Sequence, residues 1–203
     1  MIDCWNLITP NGRYVLEFIE GGHIYLVDGV KVKSITQILK TRFGGKYKAV
    51  DAQTLQAAAN MGTAIHKCIE DYCQCGIESD LPELRGFKWL QKQYKFNVIR
   101  NEVPVILFDY DNEPMAAGRL DLVLEMDGRI GGADIKRTST LDKEYLGFQL
   151  NLYRIAYRQT YGIEWEFLKG VHLRETTRKF VDIPINEIMA WELVDQWKGE
   201  NES

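Results

Sequence analysis

Asp121, Asp134 and Lys136 are two carboxylates and an ammonium whose spacing places them on one patch of surface. Residues Met115 to Met126 alternate as a strand, with Leu120, Leu122 and Leu124 on one face and Arg119, Asp121 and Val123 on the other. Asp127-Gly128 reads as a two-residue type I′ hairpin turn, because both central positions of that turn need positive φ. Counting outward from Met126 opposite Arg129 brings Asp121 opposite Asp134, and Lys136, two residues on, shares the face. Opposed carboxylates roughly 4.5–5.5 Å apart repel unless a cation lies between them. A divalent ion such as Mg²⁺ or Mn²⁺ takes oxygen ligands and leaves positions for water and a phosphate. Beside it, an ammonium can orient or deprotonate the attacking water, or offset charge on a pentavalent phosphorus. Gly131-Gly132 is where a bulge would shift this register by one. The same three residues also suit the solvated outer face of a hairpin, so the rest of the chain has to decide between the two.

The elements that must position them follow from punctuation and periodicity. Arg13 to Lys33 reads as strands broken by Gly21-Gly22 and by an Asp28-Gly29 turn, and Ser34 caps a short helix reaching Leu39 or Lys40. From about Val50 to Cys75 an alanine-rich helix carries Leu55, Ala58, Ala59, Gly62, Ile65, Ile69 and Tyr72 near one stripe, with His66 beside it. Glu70, one turn later, could receive the imidazole N–H or stay in solvent. Pro82 and Glu83 open a helix to about Tyr94, and Glu102 to Asp109 reads as a strand. Asp142 caps a helix ended by Gly162, with Gln149 and Tyr153 one turn apart on one face. A hairpin of Trp165–Leu173 with Lys179–Pro184 precedes a terminal helix over 186–198, whose Trp191 and Trp197 either mark a subunit interface or dock it to the sheet.

Gly118-Arg-Leu-Asp121, Asp134-Ile-Lys136, Gln149-Leu-Asn-Leu-Tyr153 and the upstream Gly62-Thr-Ala-Ile-His66 stand in the order and spacing of the PD-(D/E)XK nuclease superfamily, which the chain resembles in its RecB-like and phage exonuclease branch. His23-x-Tyr25, Asp28-Gly29 and Ser34-Ile-Thr36 are similar to that branch's N-terminal hairpin and helix, so the likeness covers roughly residues 20 to 160. It implies that His66, Asp121, Asp134 and the Ile135 carbonyl bind one or two Mg²⁺ or Mn²⁺ ions, that Lys136 is the catalytic lysine, and that Gln149 and Tyr153 sit beside the scissile phosphate or the ring of catalytic groups. Glu102 falls where related nucleases often carry a glutamate; with Glu70 it is expected to support the ligands from behind. The chain departs from the pattern at Asn60-Met61, where a basic residue is usual, and at Arg137, which precedes Thr138 and Ser139 where a hydroxyl usually follows the lysine directly.

The 203 residues, 45% of them hydrophobic, suffice for one α/β domain with a real core. The expected fold is α/β with a restriction-endonuclease-like core, a central mixed β-sheet flanked by helices. It comprises an N-terminal hairpin and helix over 13–41, a core over about 50–184 and the C-terminal helix. A net charge of −4 argues against a uniformly basic nucleic-acid binder, so DNA contacts must be local: Arg137, Thr138, Lys46, Lys48, Arg174 and Arg178, with Arg42 and Lys179 as further cations. Of the four cysteines, Cys4 is early, and Cys68, Cys73 and Cys75 crowd the His66 helix. That arrangement does not suit the iron–sulfur cluster of some RecB-like nucleases, and reduced thiols are expected, with zinc through Cys73-x-Cys75 at a shorter spacing than usual. No apolar run approaches the roughly 20 residues of a membrane span, and the start lacks a signal-peptide plan, so a cytoplasmic protein is expected, in the bacterial host if phage-encoded.

The expected activity is metal-dependent DNA hydrolysis by an exonuclease of phage or prophage type, in recombination or replication. A structure-specific endonuclease and a non-catalytic DNA-binding protein on the same fold are the alternatives. DNA is the expected partner, with a homo-oligomer and a recombination protein also compatible with the resemblance.

Overall fold

The computed structural model describes residues 1–45 and 52–201. Lys46 and Lys48, and the side chain of Leu55, lie outside the described residues. Turn chemistry sets the sheet's connectivity. Strands β1 (Ile2–Thr9), β2 (Gly12–Ile19), β3 (Ile24–Val27) and β4 (Val30–Ser34) form successive antiparallel pairs. Asp28 and Gly29 both take positive φ, 49° and 78°, in the two-residue turn that pairs Val27 with Val30. β1 lay outside the strands expected from sequence. Its apolar residues point both ways, with Ile2 and Ile8 exposed and Leu7 buried, so no alternation announces it.

Ser34 then starts helix α1 (Ile35–Ile38) with a reciprocal cap: its hydroxyl accepts from Gln37 N–H while the Gln37 side chain accepts from Ser34 N–H. Helices α2 (Lys40–Phe43), α3 (Ala52–Cys75) and α4 (Pro82–Tyr94) lead to strands β5 (Asn97–Phe108), β6 (Pro114–Met126) and β7 (Arg129–Lys136). Helix α5 (Lys143–Tyr161) crosses to β8 (Phe167–Leu173), parallel to β7; β9 (Arg178–Ile183) returns antiparallel, and α6 (Glu187–Asn201) closes the described chain. The result is a nine-stranded mixed sheet flanked by helices. Val103, Val105, Leu120 and Val123 pack under α1, α5 and α6 on one face; Leu122, Leu124, Ala133 and Ile135 pack under α3 and α4 on the other. The N-terminal strands cover Ile106, Phe108 and Ala117. Among the described residues no helix is long and apolar enough to cross a membrane.

The sheet forks at the residues that matter most. Ala116 and Ala117 pair with β5 on one side and β4 on the other, and Val123 and Leu124 pair with β5 on one side and β7 on the other. β4 and β7 therefore share one edge of β6 at different ends. Between them Gly118, Arg119 and Leu120 pair on the β5 side only, and Asp121 pairs on neither side. The strand's alternation also breaks here, because Leu120 and Val123 enter one core while Leu122 and Leu124 enter the other. The expected grouping of Leu120 with Leu122 and Leu124 is corrected accordingly. On β5 the matching gap in the register falls at Glu102, a non-glycine residue at φ 47° in mid-strand.

Two open points close and one expectation changes. Gly131-Gly132 forms no bulge: Leu124↔Gly131 and Val123↔Gly132 continue the register set by Met126↔Arg129. The pair is small because of a distant contact, since a Cβ on Gly132 would land in the Trp165 ring and one on Gly131 on Phe167. The α3 stripe is buried only from Ile65 onward; Ala58 and Ala59 are exposed. Trp191 and Trp197 pack against the core, and Trp191 stacks on Tyr110 at 4.7 Å, so they dock α6.

Gly132→Ala is expected to destabilise the protein by about 1–3 kcal/mol, the usual penalty of overpacking a filled core, read as a lower urea midpoint. An unchanged midpoint would mean that Trp165 does not rest on this strand.

Candidate metal centre

Four segments distant in sequence meet at the fork. The α3 helix brings His66 over the sheet, where Nε2 lies 3.1 Å from the Ile135 carbonyl oxygen and donates to it. That bond aims Nδ1 at two acids, 3.4 Å from Asp121 and 3.9 Å from Glu102. One ligand atom from each of His66, Glu102 and Asp121 fits within 4.8 Å of the others. Asp121 also spans the fork: its Oδ2 accepts from Ile135 N–H at 2.6 Å, just past the last ladder pair, Leu122↔Ala133. A carboxylate thus substitutes for a strand carbonyl, a charge-assisted bond typically worth about 1.5–3 kcal/mol.

Asp134 and Lys136 project from β7 toward α5. Lys136 Nζ lies 2.5 Å from Asp134 Oδ2 and about 6 Å from the Tyr145 ring centroid. The geometry thus differs from the expected ligand set. Asp134 is paired with Lys136 rather than grouped with His66, and the Ile135 carbonyl is taken by the imidazole. Glu102, expected to support the ligands from behind, stands among them. Its position is not readable from sequence, because glutamate carries no marking for the left-handed conformation that turns its side chain inward.

The electrostatics follow from crowding acids out of water. Burial, then Asp121, pushes Glu102 up to about 7, and burial with Asp121 pushes Asp134 up to about 6 despite Lys136. Burial alone would raise Asp121 as well, but the His66 imidazolium, Lys136 and the Ile135 N–H outweigh it and hold this carboxyl below its ordinary value. Asp121 in turn raises His66 to about 9. Burial opposes the charge on Lys136, yet Asp134 and Asp121 keep its pKa above the usual value. One imidazole nitrogen with carboxylate oxygens is a donor set suited to Mn²⁺ or Mg²⁺, and the nitrogen favours the transition ion. His66, Glu102 and Asp121 are the residues placed to hold one.

Helix α5 roofs the fork. A Cβ on Gly118 would sit 2.9 Å from Tyr153 Cε1 and 3.0 Å from its hydroxyl, so only glycine lets this ring lie on the strand. Burial first, then Tyr25 and the nearby acids, raise the Tyr153 phenol well above its usual pKa, which keeps the hydroxyl protonated. Gln149 is equally buried, and its Oε1 has no hydrogen-bond partner. Arg119, which sequence reasoning did not assign a role, ties the site to the N-terminal strands: it contacts Glu102 at 3.6 Å and Asp3 at 3.2 Å and lies over the Phe18 ring. Beside Glu102 and Arg119 opens a cleft of about 790 Å³ lined in part by Trp5, Arg100 and Tyr161.

Other expected site residues lie apart. Glu70 binds Lys67 and Gln74, not His66. Arg137 is held by the buried Glu83 at 3.0 Å, and the Thr138 hydroxyl donates to the Thr140 carbonyl. Arg174 and Arg178 sit at the β8–β9 turn, with Arg178 over Trp89. All four cysteines are free thiols. Cys4 and Cys75 are exposed, while Cys68 and Cys73 pack between α3 and the sheet.

Burial pushes the Cys73 thiol up to about 11. At pH 8 iodoacetamide is therefore expected to modify Cys4 and Cys75 in the folded protein and to leave Cys73 unmodified until denaturant is added, as read by peptide mass mapping. Labelling of Cys73 as fast as Cys75 would contradict that burial.

No family model matches the chain, and no curated protein matches it. Among solved structures it is similar to one titled "Crystal structure of SSO0001", with 15% sequence identity and a TM-score of 0.48 over 85% of this chain and 77% of that one.

Proposed function

We propose that this chain is a metal-dependent nuclease of the PD-(D/E)XK kind, hydrolysing phosphodiester bonds in DNA in the cytoplasm. Within that class we favour an exonuclease of phage or prophage type serving recombination or replication. The observation that carries the reading is the convergence at the sheet fork of His66, Glu102, Asp121 and the Asp134–Lys136 pair, from α3, β5, β6 and β7. A solvated hairpin face would have no reason to bury Asp134 to 3% exposure.

His66, Glu102 and Asp121 would hold the ion. When bound, Mg²⁺ or Mn²⁺ supplies Lewis acidity toward phosphoryl oxygens and lowers the pKa of a coordinated water. The chain's own groups do the rest. Asp134 fixes the Lys136 ammonium, and the raised pKa of that lysine suits it to stabilising charge on phosphorus rather than to removing a proton. Tyr153, kept neutral, offers a hydroxyl donor above Gly118. Ile135 N–H and its carbonyl lock Asp121 and His66 in place, so the ligands need little reorganisation.

Calorimetric titration with Mn²⁺ is expected to show binding that Glu102→Gln weakens about 10- to 100-fold; heats equal in both proteins would remove Glu102 from the site. Release of acid-soluble nucleotides from linear DNA with Mn²⁺ is expected to fall on the order of 10²-fold or more in Lys136→Ala and in Asp121→Asn. Equal release by all three proteins would point to a contaminant and sink the nuclease reading. Hydrolysis of linear duplex but not of its covalently closed circle is the outcome that separates exonuclease from endonuclease.

A further inference from the structure

A pocket beyond Lys136, on the α5 side of β8 and β9, has no acid in its lining. It has a volume of about 340 Å³ and is lined by Ser139, Thr140, Leu141, Lys143, His172 and Lys179, with Val181 at its edge. Sheet register explains why these cations are together. Lys136 pairs with His172 across β7 and β8, and His172 pairs with Lys179 across β8 and β9. Three basic residues therefore lie in one row on the face toward α5, spanning about 10 Å at the usual strand spacing. Lys143 joins them as the first residue of α5.

Electrostatically this arrangement is costly by itself. Lys179 stands directly opposite His172 on the neighbouring strand, with no acid in the pocket lining beside it. Lys143 occupies the positive end of a 19-residue helix, the end that favours anions. Neither Lys143 nor Lys179 has an ion-pair partner among the described residues. The cap residue Asp142 accepts from Tyr145 N–H and does not line the pocket. His172 is 3% exposed; its Nε2 donates to the Thr138 carbonyl at 2.7 Å, and its Nδ1 is buried without any partner. Two lysines, two hydroxyl side chains and a buried histidine thus line one hollow.

We propose that this pocket seats a phosphate of the nucleic-acid strand next to the one at Lys136. The inference rests on the nuclease reading for its substrate and adds to it a second anchoring point. Lys143 and Lys179 supply point charges and Ser139 and Thr140 hydroxyl donors, with the His172 ring in the lining between them. The phosphate is either internal to the strand or its terminal monoester.

The test is fluorescence anisotropy of a labelled short oligothymidylate in EDTA, with and without a 5′-phosphate, using the natural chain, Lys143→Ala/Lys179→Ala and a control double variant, Lys92→Ala/Lys95→Ala. The first variant is expected to bind about ten-fold more weakly, with the salt dependence reduced by about one unit of log–log slope. Its thermal midpoint is expected not to fall, because a cation leaves the positive end of α5. Loss confined to the 5′-phosphorylated strand assigns the pocket to a terminal phosphate, and equal loss on both strands to an internal one. Binding unchanged from the natural chain, or lost equally in the control, overturns the proposal. An oligonucleotide that binds through Lys143 and Lys179 but is not hydrolysed with Mn²⁺ would remove the nuclease reading and leave this seat standing. Hydrolysis with no binding loss in the variant would do the reverse.

Discussion

Everything at the centre of this protein depends on one hydrogen bond across an unpaired stretch of sheet, from Ile135 N–H to the Asp121 carboxylate. β6 has two neighbours on the same edge, and the four residues between them cannot complete a ladder on that side. Such a gap leaves backbone groups seeking partners, which is unfavourable in a dry interior. Asp121 meets part of that need and, in doing so, fixes a carboxylate where two strands diverge. The His66 imidazole meets another part by bonding the Ile135 carbonyl. Backbone satisfaction and site assembly are thus the same event.

That coupling explains the charge pattern. A buried cluster of Glu102, Asp121 and Asp134 would be untenable alone, and each acid is held by a different device. Asp121 has the imidazolium and a backbone donor, Asp134 has Lys136, and Glu102 leans toward Arg119. Arg119 in turn reaches Asp3 on the outermost strand, so the N-terminal strands also stabilise the centre.

Much of this was legible where local chemistry decides. Asp127-Gly128 set the hairpin register, Ser34 and Asp142 marked helix starts, and the apolar spacing from Ile65 to Ile69 marked the buried part of α3. Reading failed where a distant partner decides. Gly131-Gly132 left the register open to a bulge because nothing nearby reveals Trp165, more than thirty residues later, lying on the pair. β1 was invisible because its isoleucines face outward. The break in alternation at Asp121 and the entry of Glu102 into the centre depend on a fork between non-consecutive strands, which no window of sequence contains. Lys143 and His172 carry no signal in the sequence and Lys179 reads as one of several scattered candidate cations; only strand register aligns His172 and Lys179 with Lys136.

The backbone at Glu102 has an evolutionary consequence. A non-glycine residue held at φ 47° in mid-strand stores strain on the order of 1–3 kcal/mol. Glycine there would relax that conformation, so selection for heat resistance alone would favour deleting this side chain. A glutamate at such a position trades robustness for a carboxylate in the buried cluster, and on the nuclease proposal homologues with glycine at the equivalent site would bind the ion more weakly.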